Sequence, residues 1–246
     1  MKKNKLNNKL DLSKKIEILE NKIIKILISF LLIILLLIWD IIPLEILKIF
    51  NINLETLPNN IIYIFNFFNS LLFISILIKL YYKDIKNNLI KYFKYNFKTN
   101  FKTSITYWLV GLAIMYISNI IISIVMNGRI AENEKNVRDL INTSPLYMAF
   151  SVMIYAPIAE ELIFRKSIRE FINNKWIYAL VSGFIFGGLH AITSITDTIT
   201  LLYLIPYCSL GITFGLLYYK TNNIFSTIIV HSIHNTIAFI LYMVML

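Results

Sequence analysis

The sequence predicts an all-α polytopic membrane protein, a bundle of about seven to eight transmembrane helices with a polar cavity inside the membrane. Two observations predict it: the 246-residue chain is 57% hydrophobic and only 15% charged. A soluble domain needs more charged surface, and the apolar runs reach the roughly 20 residues that cross a hydrocarbon core of about 30 Å. Only one cysteine, Cys208, is present, so no internal disulfide is expected.

A basic segment, residues 1–22, is predicted to lie in the cytoplasm. Lysines are frequent before the apolar run that begins at Ile26, and no small-residue cleavage site follows that run. A cleavable signal peptide is therefore not expected. Leu12, Ile16 and Leu19 recur at helical spacing, so the segment could be an amphipathic helix on the membrane surface or a solvated tail.

A single transmembrane bundle, residues 23–246, is predicted to follow, and hydropathy divides it into seven spans. The spans are residues 23–42, 60–81, 105–126, 146–168, 176–195, 199–219 and 224–245. A further apolar piece, residues 44–57, lies between two prolines and is too short to cross the bilayer. We expect this piece to be interfacial or re-entrant, and it could raise the helix count to eight.

The distribution of lysines predicts a cytoplasmic N-terminus. Residues 79–102 are rich in lysine and contain one acid, Asp84, whereas residues 40–60 are poor in basic residues. The positive-inside rule places the lysine-rich segment in the cytoplasm. The net charge of +10 thus reflects topology, and no motif supports nucleic-acid binding.

Polar side chains inside the apolar spans are the candidate functional residues. An ionisable group at membrane depth costs several kcal/mol and usually faces a bundle interior or a water cavity. The set comprises Glu160, Glu161, Arg165, His190, His231, His234 and Asn235. These residues come from three different predicted spans, so a bundle could bring them together.

Spacing predicts different roles for the two adjacent glutamates. Glu161 and Arg165 are i and i+4 with the acid first, the arrangement in which a helical ion pair closes well. Glu160 is rotated by about 100° from Glu161, so it can face another surface. A carboxylate that is not paired with that arginine is the better general-base candidate.

The histidines extend the predicted site to two other helices. His231 and Asn235 are i and i+4, and both can donate hydrogen bonds to a developing oxyanion. His190 could pair with Glu160 across the bundle. His234 is predicted to be structural.

Close helix contact is needed for these groups to meet. Gly183, Gly187 and Gly188 precede His190 and are expected to allow it.

At 1.5 Å per residue, Glu160 would lie about 9 Å deep and His190 about 22 Å deep. We therefore expect the fourth helix to extend to about residue 170 and the fifth to start near residue 178.

Three motifs in order resemble the signature of the CPBP intramembrane protease family, which includes the type II CaaX prenyl endopeptidases and the abortive-infection and bacteriocin-processing proteins. The motifs are EELIFR at residues 160–165, FGGLH at residues 186–190 and HSIHN at residues 231–235. They match EExxxR, FxxxH and HxxxN. The resemblance covers about residues 145–240, the predicted protease-like core.

The resemblance implies hydrolysis of a peptide bond in a membrane-embedded peptide or protein, inside the lipid bilayer. Glu160 would activate the attacking water together with His190. His231 and Asn235 would stabilise the oxyanion. Glu161 and Arg165 would orient the site.

The cofactor requirement is left open by these residues. Glu160, His190 and His231 could form a three-ligand zinc site with an open position. The sequence contains no HExxH motif, however, and His231 next to an amide equally suits an oxyanion hole. The preferred interpretation is a glutamate mechanism that requires no cofactor.

Two other function classes also stay open. The chain could be a noncatalytic, bacteriocin-immunity-type protein on the same scaffold, or an ion-coupled carrier that uses the buried carboxylates as a relay. It lacks two halves of matching pattern, which argues against a carrier. Its richness in Ile, Asn and Lys is typical of AT-rich genomes and suggests a bacterial plasma membrane, where a prenylated substrate is less expected than another peptide or membrane regulator.

Overall fold

The computed structural model describes the backbone of residues 2–50 and 57–245, and the side chains in these ranges except those of residues 2–13, 15 and 16. Every regular element in the described ranges is a helix, which confirms the predicted all-α class. The main helices are α1 (Lys2–Ile38), α2 (Ile41–Ile49), α3 (Asn59–Leu80), α4 (Tyr82–Ile90), α5 (Phe97–Val125), α6 (Glu132–Thr143), α7 (Pro145–Ser167), α8 (Lys175–Ala191), α9 (Leu204–Thr221) and α10 (Ile224–Val244).

Seven helices in the described ranges are long and apolar enough to cross a membrane: α3, α5, α7, α10, the Glu17–Ile38 part of α1, and α8 and α9 with their adjoining short turns. The protein is therefore a multi-pass membrane protein, as predicted. Helix α2 covers the start of the apolar piece predicted to be interfacial, but residues 51–56 of that piece lie outside the described residues. The side chains of Leu12 and Ile16 also lie outside the described residues. The predicted boundary at residue 22, between the basic segment and the transmembrane bundle, stays a prediction.

Helices α8 and α9 pack with their backbones in close contact. A Cβ atom on Gly187 would lie 2.6 Å from the backbone nitrogen of Cys208, and one on Gly183 would lie 2.6 Å from that of Ile212. Small residues allow such an approach in membranes, as predicted for these two glycines. The prediction for Gly188 was wrong, because no atom lies within 4 Å of the position of its Cβ.

Helix α7 alternates between α-helical and π-helical turns. Its α-helical parts are Pro145–Phe150 and Ala156–Glu160, and its π-helical parts are Ser151–Tyr155 and Glu161–Ser167. Pro157 lies in the short second α-helical part, where a proline ring crowds the carbonyl four residues earlier. A wider turn directly before it relieves this crowding, and π-turns of this kind are frequent at functional sites.

The ends of α7 and α8 only partly follow the prediction. The helical backbone of α7 continues to Arg169, close to the predicted end, but α8 begins at Lys175, before the predicted residue 178. The start predicted near residue 178 was too late, because Asn174 caps the helix. Its side-chain oxygen accepts hydrogen bonds from the backbone N–H groups of Trp176 and Ile177.

The opposite directions of α7 and α8 help the side chains of Glu160 and His190 to meet. Cβ atoms tilt toward the N-terminus of their own helix. Because α7 and α8 are successive spans, they run in opposite directions. The two side chains therefore lean toward each other, and Oε1 of Glu160 comes within 3.8 Å of Nε2 of His190.

Helix α4 connects the ends of the two helices that carry most of the site. Its Asp84 lies 2.7 Å from Nζ of Lys166 near the end of α7. The side-chain oxygen of Asn88 accepts a hydrogen bond from the backbone N–H of Ile224 at the start of α10, at 3.0 Å. The same short helix thus fixes α7 and α10 relative to each other.

Candidate active site

Glu160 lies between two histidines that come from different helices. Its Oε1 is 3.8 Å from Nε2 of His190 on α8, and its Oε2 is 3.7 Å from Nε2 of His231 on α10. The Glu160 side chain is only 14% exposed. The fold therefore brings together three of the four residues that were predicted to be catalytic.

The position of the proton on His190 follows from its backbone contact. Its Nδ1 is 2.9 Å from the carbonyl oxygen of Phe186, which can only accept a hydrogen bond. Nδ1 therefore carries the proton, and a neutral His190 presents the lone pair of Nε2 to Glu160. The rings of Phe186 and His190 are also in contact, with centroids 4.3 Å apart and planes tilted by 34°. The first residue of the FGGLH motif thus orients the last.

The second glutamate orients His231 in the same way. Nδ1 of His231 is 3.0 Å from Oε1 of Glu161, so this nitrogen donates its proton to the carboxylate. Nε2 is left to face Glu160. A buried carboxylate behind an imidazole fixes both the ring orientation and the tautomer.

Glu161 and Arg165 form the predicted ion pair, and both are fully buried. Nε of Arg165 is 3.2 Å from Oε2 of Glu161. The guanidinium also donates from Nη1 to the hydroxyl of Ser182 at 3.1 Å and stands 4.9 Å from the centre of the Phe186 ring. Such additional partners are needed before a buried charge pair becomes tolerable.

Ser182 is a site residue that sequence reasoning missed. Its hydroxyl accepts from Arg165 and donates to the carbonyl oxygen of Phe164 at 2.8 Å, so it joins α8 to α7. A hydroxyl in an apolar span one turn before Phe186 was the available signal.

Asn235 does not face Glu160 in the way that the histidines do. Its amide nitrogen donates to the backbone carbonyl of Val152 on α7 at 2.8 Å. Its predicted place in an oxyanion hole stays a prediction. Nδ1 of His234 accepts a hydrogen bond from Nε1 of Trp108 at 3.3 Å, in agreement with the structural role predicted for His234.

A small cavity of about 140 Å³ opens directly beside Glu160 and His190. Its walls include Leu36 and Leu37 of α1 and Asn133 of α6. The sequence did not predict these three residues, because they lie far from the motifs along the chain and have no distinctive spacing. A larger cavity between α5 and α9 is lined almost entirely by apolar side chains and carries no chemical group beyond one serine.

The possible zinc site at Glu160, His190 and His231 stays a prediction. Within residues 2–50 and 57–245, no group of three or more His, Cys, Asp or Glu side chains is placed to hold a metal ion. The metalloprotease alternative is therefore not supported.

Comparison with known proteins gives a family match over the same part of the chain. Residues 142–237 match the family model described as Type II CAAX prenyl endopeptidase Rce1-like. This segment contains all three motifs and every residue of the site except the cavity walls from α1 and α6.

The similar curated proteins are bacterial. The protein named "Putative membrane peptidase YdiL" of Bacillus subtilis (strain 168) is 35% identical over 117 residues, 46% of this chain and 44% of that protein. The chain thus matches less than half of that relative's length.

Two proteins of Lactococcus lactis subsp. lactis (strain IL1403) are also similar. UPF0177 protein YxdF is 28% identical over 51% of this chain and 71% of its own length. UPF0177 protein YbdI is 25% identical over 72% of this chain and 96% of its own length. No solved structure matched the chain. The family resemblance predicted from the three motifs is confirmed: residues 142–237 of this chain match the Type II CAAX prenyl endopeptidase Rce1-like family.

Proposed function

We propose that the protein is an intramembrane endopeptidase that hydrolyses a peptide bond in a membrane-embedded peptide or protein. The observation that carries the proposal is the position of Glu160 between the Nε2 atoms of His190 and His231, at 3.8 and 3.7 Å. The match of residues 142–237 to a family of endopeptidases supports it.

Glu160 is the proposed general base. Its Oε2 is buried and receives no hydrogen bond from the described residues. The distances of 3.8 and 3.7 Å from the Glu160 oxygens to Nε2 of His190 and of His231 are too long for direct hydrogen bonds. A water molecule beside one of these pairs can contact both the carboxylate and the imidazole. In the attack, the water oxygen bonds to the scissile carbonyl carbon and its proton passes to Glu160.

The proposed oxyanion donor is a protonated His231. Glu160 and Glu161 carry two negative charges and Arg165 one positive charge, which leaves the buried cluster one proton short of neutrality. A proton on Nε2 of His231 would neutralise it and would place an N–H donor where the carbonyl oxygen becomes negative. The Nδ1–H group of the same ring continues to donate its hydrogen bond to Glu161.

The second half of the reaction returns the site to its starting state. When the tetrahedral carbon releases the amine, the C–N bond breaks and Glu160 gives its proton to the leaving nitrogen. No net proton is gained by the enzyme. One water is consumed, and a carboxylic acid and an amine are formed.

The proposal is tested by substituting Glu160 without changing its shape. Membranes from cells that produce the wild type, Glu160→Gln or Glu45→Gln are compared by mass spectrometry of newly formed peptide N-termini. Glu45 is an exposed glutamate of α2 whose ion-pair partner among the described residues is Lys48, so its substitution is the matched control. We expect new N-termini with the wild type and with Glu45→Gln, and none with Glu160→Gln. Undiminished cleavage by a folded Glu160→Gln variant would overturn the proposal.

A further inference from the structure

Helix α7 contains a backbone carbonyl that its own helix does not satisfy. In the π-turn Ser151–Tyr155, the N–H of Ala156 donates to the carbonyl of Ser151, five residues earlier. The same register would next pair the N–H of residue 157 with the carbonyl of Val152. Residue 157 is a proline and has no N–H. The carbonyl of Val152 therefore loses its donor.

Asn235 supplies the missing donor from another helix. Its amide nitrogen lies 2.8 Å from that carbonyl oxygen of Val152. An unsatisfied backbone group in the bilayer interior costs several kcal/mol, so an irregular turn persists there only where a neighbouring side chain fills it. The amide of Asn235 is well suited, because it donates and carries no charge.

We infer that Asn235 is a positioning residue, which completes the hydrogen bonding that Pro157 interrupts and thereby sets the direction of Glu160. This inference rests on the proposed endopeptidase function. Glu160 lies one turn after Pro157. A π-turn adds one residue to the helix, which rotates every later side chain by about 100° relative to a regular helix. The direction of Glu160 thus depends on that turn.

Helix α10 holds α7 at two points that flank Glu160 along the chain. Asn235 contacts Val152 before it, and His231 contacts Glu161 directly after it. The i and i+4 spacing of His231 and Asn235 places both contacts on one face of α10. The HSIHN motif therefore serves two purposes: its first residue presents an imidazole to the reaction, and its last holds the backbone that carries the base.

The test restores the missing N–H in the helix itself. In the Pro157→Ala background, residue 157 can donate to Val152, and Asn235 is no longer needed. We expect Asn235→Ala to lower cleavage at least about tenfold in the wild-type background, because a buried acceptor is left unpaired. In the Pro157→Ala background, the same change should lower cleavage less than about twofold.

The comparison between Pro157→Ala and the double variant tests the inference by cleavage when Asn235→Ala alone does not fold. When Pro157→Ala itself abolishes cleavage, the thermal cycle described below decides it. A tenfold or greater loss in that comparison would overturn it, because an oxyanion donor is needed whatever residue 157 is. Pro145→Ala is the matched control: this proline lies at the start of α7, where no helical N–H is missing, and it should give no rescue.

A second readout separates this inference from the proposed function. Thermal unfolding of the four proteins in detergent, namely the wild type, the two single variants and the double variant, forms a double-mutant cycle that needs no substrate. We expect the loss of melting temperature caused by Asn235→Ala to shrink in the Pro157→Ala background. Additive losses would contradict the inference. Absence of Glu160-dependent cleavage would contradict the proposed function alone.

Discussion

His231 and Glu161 face each other across the contact between α10 and α7, with Nδ1 3.0 Å from Oε1. Glu161 is at the same time 3.2 Å from the guanidinium of Arg165 through its other oxygen. The carboxylate is thus shared between a permanent cation and an imidazole. It keeps the ring in place for Glu160, and its own charge is balanced by Arg165.

The two adjacent glutamates should differ in what their loss does. Glu161→Gln leaves the buried Arg165 without its counter-charge, and removing one partner of a buried ion pair costs about 3–5 kcal/mol. Glu160→Gln should abolish cleavage and change stability much less, because Glu160 is not paired with a permanent cation. Thermal unfolding in detergent measures the difference.

A double variant provides the control for this prediction. Adding Arg165→Met to Glu161→Gln removes the unpaired charge and should recover a large part of the lost stability, because an apolar side chain of similar length replaces a buried ion. If Glu160→Gln and Glu161→Gln lowered the melting temperature equally, the assignment of Glu161 to the ion pair would be wrong.

Two neighbouring glycines of α8 should respond in opposite ways to alanine. A methyl group on Gly187 would meet the backbone of Cys208 at 2.6 Å, so Gly187→Ala must push α9 away. Overpacking of this kind costs about 1–3 kcal/mol, and the shift should also lower cleavage because His190 is on the same helix. The measurement is thermal unfolding together with release of the new N-termini.

Gly188→Ala is the matched control on the adjacent position. No atom lies within 4 Å of its Cβ position, so the substitution should be neutral or stabilise the helix by about 0.5–1 kcal/mol. Equal destabilisation by the two alanines would show that close packing of α8 on α9 is not what makes Gly187 necessary.

Helix α7 shows which features of the site could be predicted from the sequence and which could not. Its ion pair was predictable because Glu161 and Arg165 are neighbours on one helix, and the span itself follows from hydropathy. The contact of Asn235 with Val152 was not predictable, because it depends on a π-turn that forms only in the packed bundle. The predicted start of α8 was wrong for another reason: Asn174 is a helix-capping signal that hydropathy does not register.

Cleavage is expected to survive removal of divalent metal ions. The proposed mechanism assigns both proton transfers to Glu160 and the oxyanion donor to His231, so none of its steps requires a metal ion. Treatment with EDTA and phenanthroline should leave the rate unchanged, and added zinc should not raise the melting temperature, as a ligand that binds the folded state would. Loss of cleavage that stoichiometric zinc restores would contradict this prediction.

The orientation predicted from the lysines can be tested with single cysteines. Lys166 lies 2.7 Å from Asp84 and the start of α10 contacts Asn88, so the lysine-rich segment, the end of α7 and the start of α10 lie on one side of the membrane. The positive-inside rule makes this the cytoplasmic side. Lys220 lies in the last turn of α9, next to α10, on this side, whereas Lys135 lies in α6 between α5 and α7, on the other.

We therefore expect an impermeant maleimide to label Lys135→Cys in intact cells and to label Lys220→Cys only after the cells are opened. Both positions are exposed, so accessibility within the protein does not favour either one. The unsubstituted protein is the control, because its Cys208 is buried between α8 and α9 and should remain unlabelled. The reverse pattern would place the N-terminus outside the cell, and with it the opposite end of the bundle in the cytoplasm.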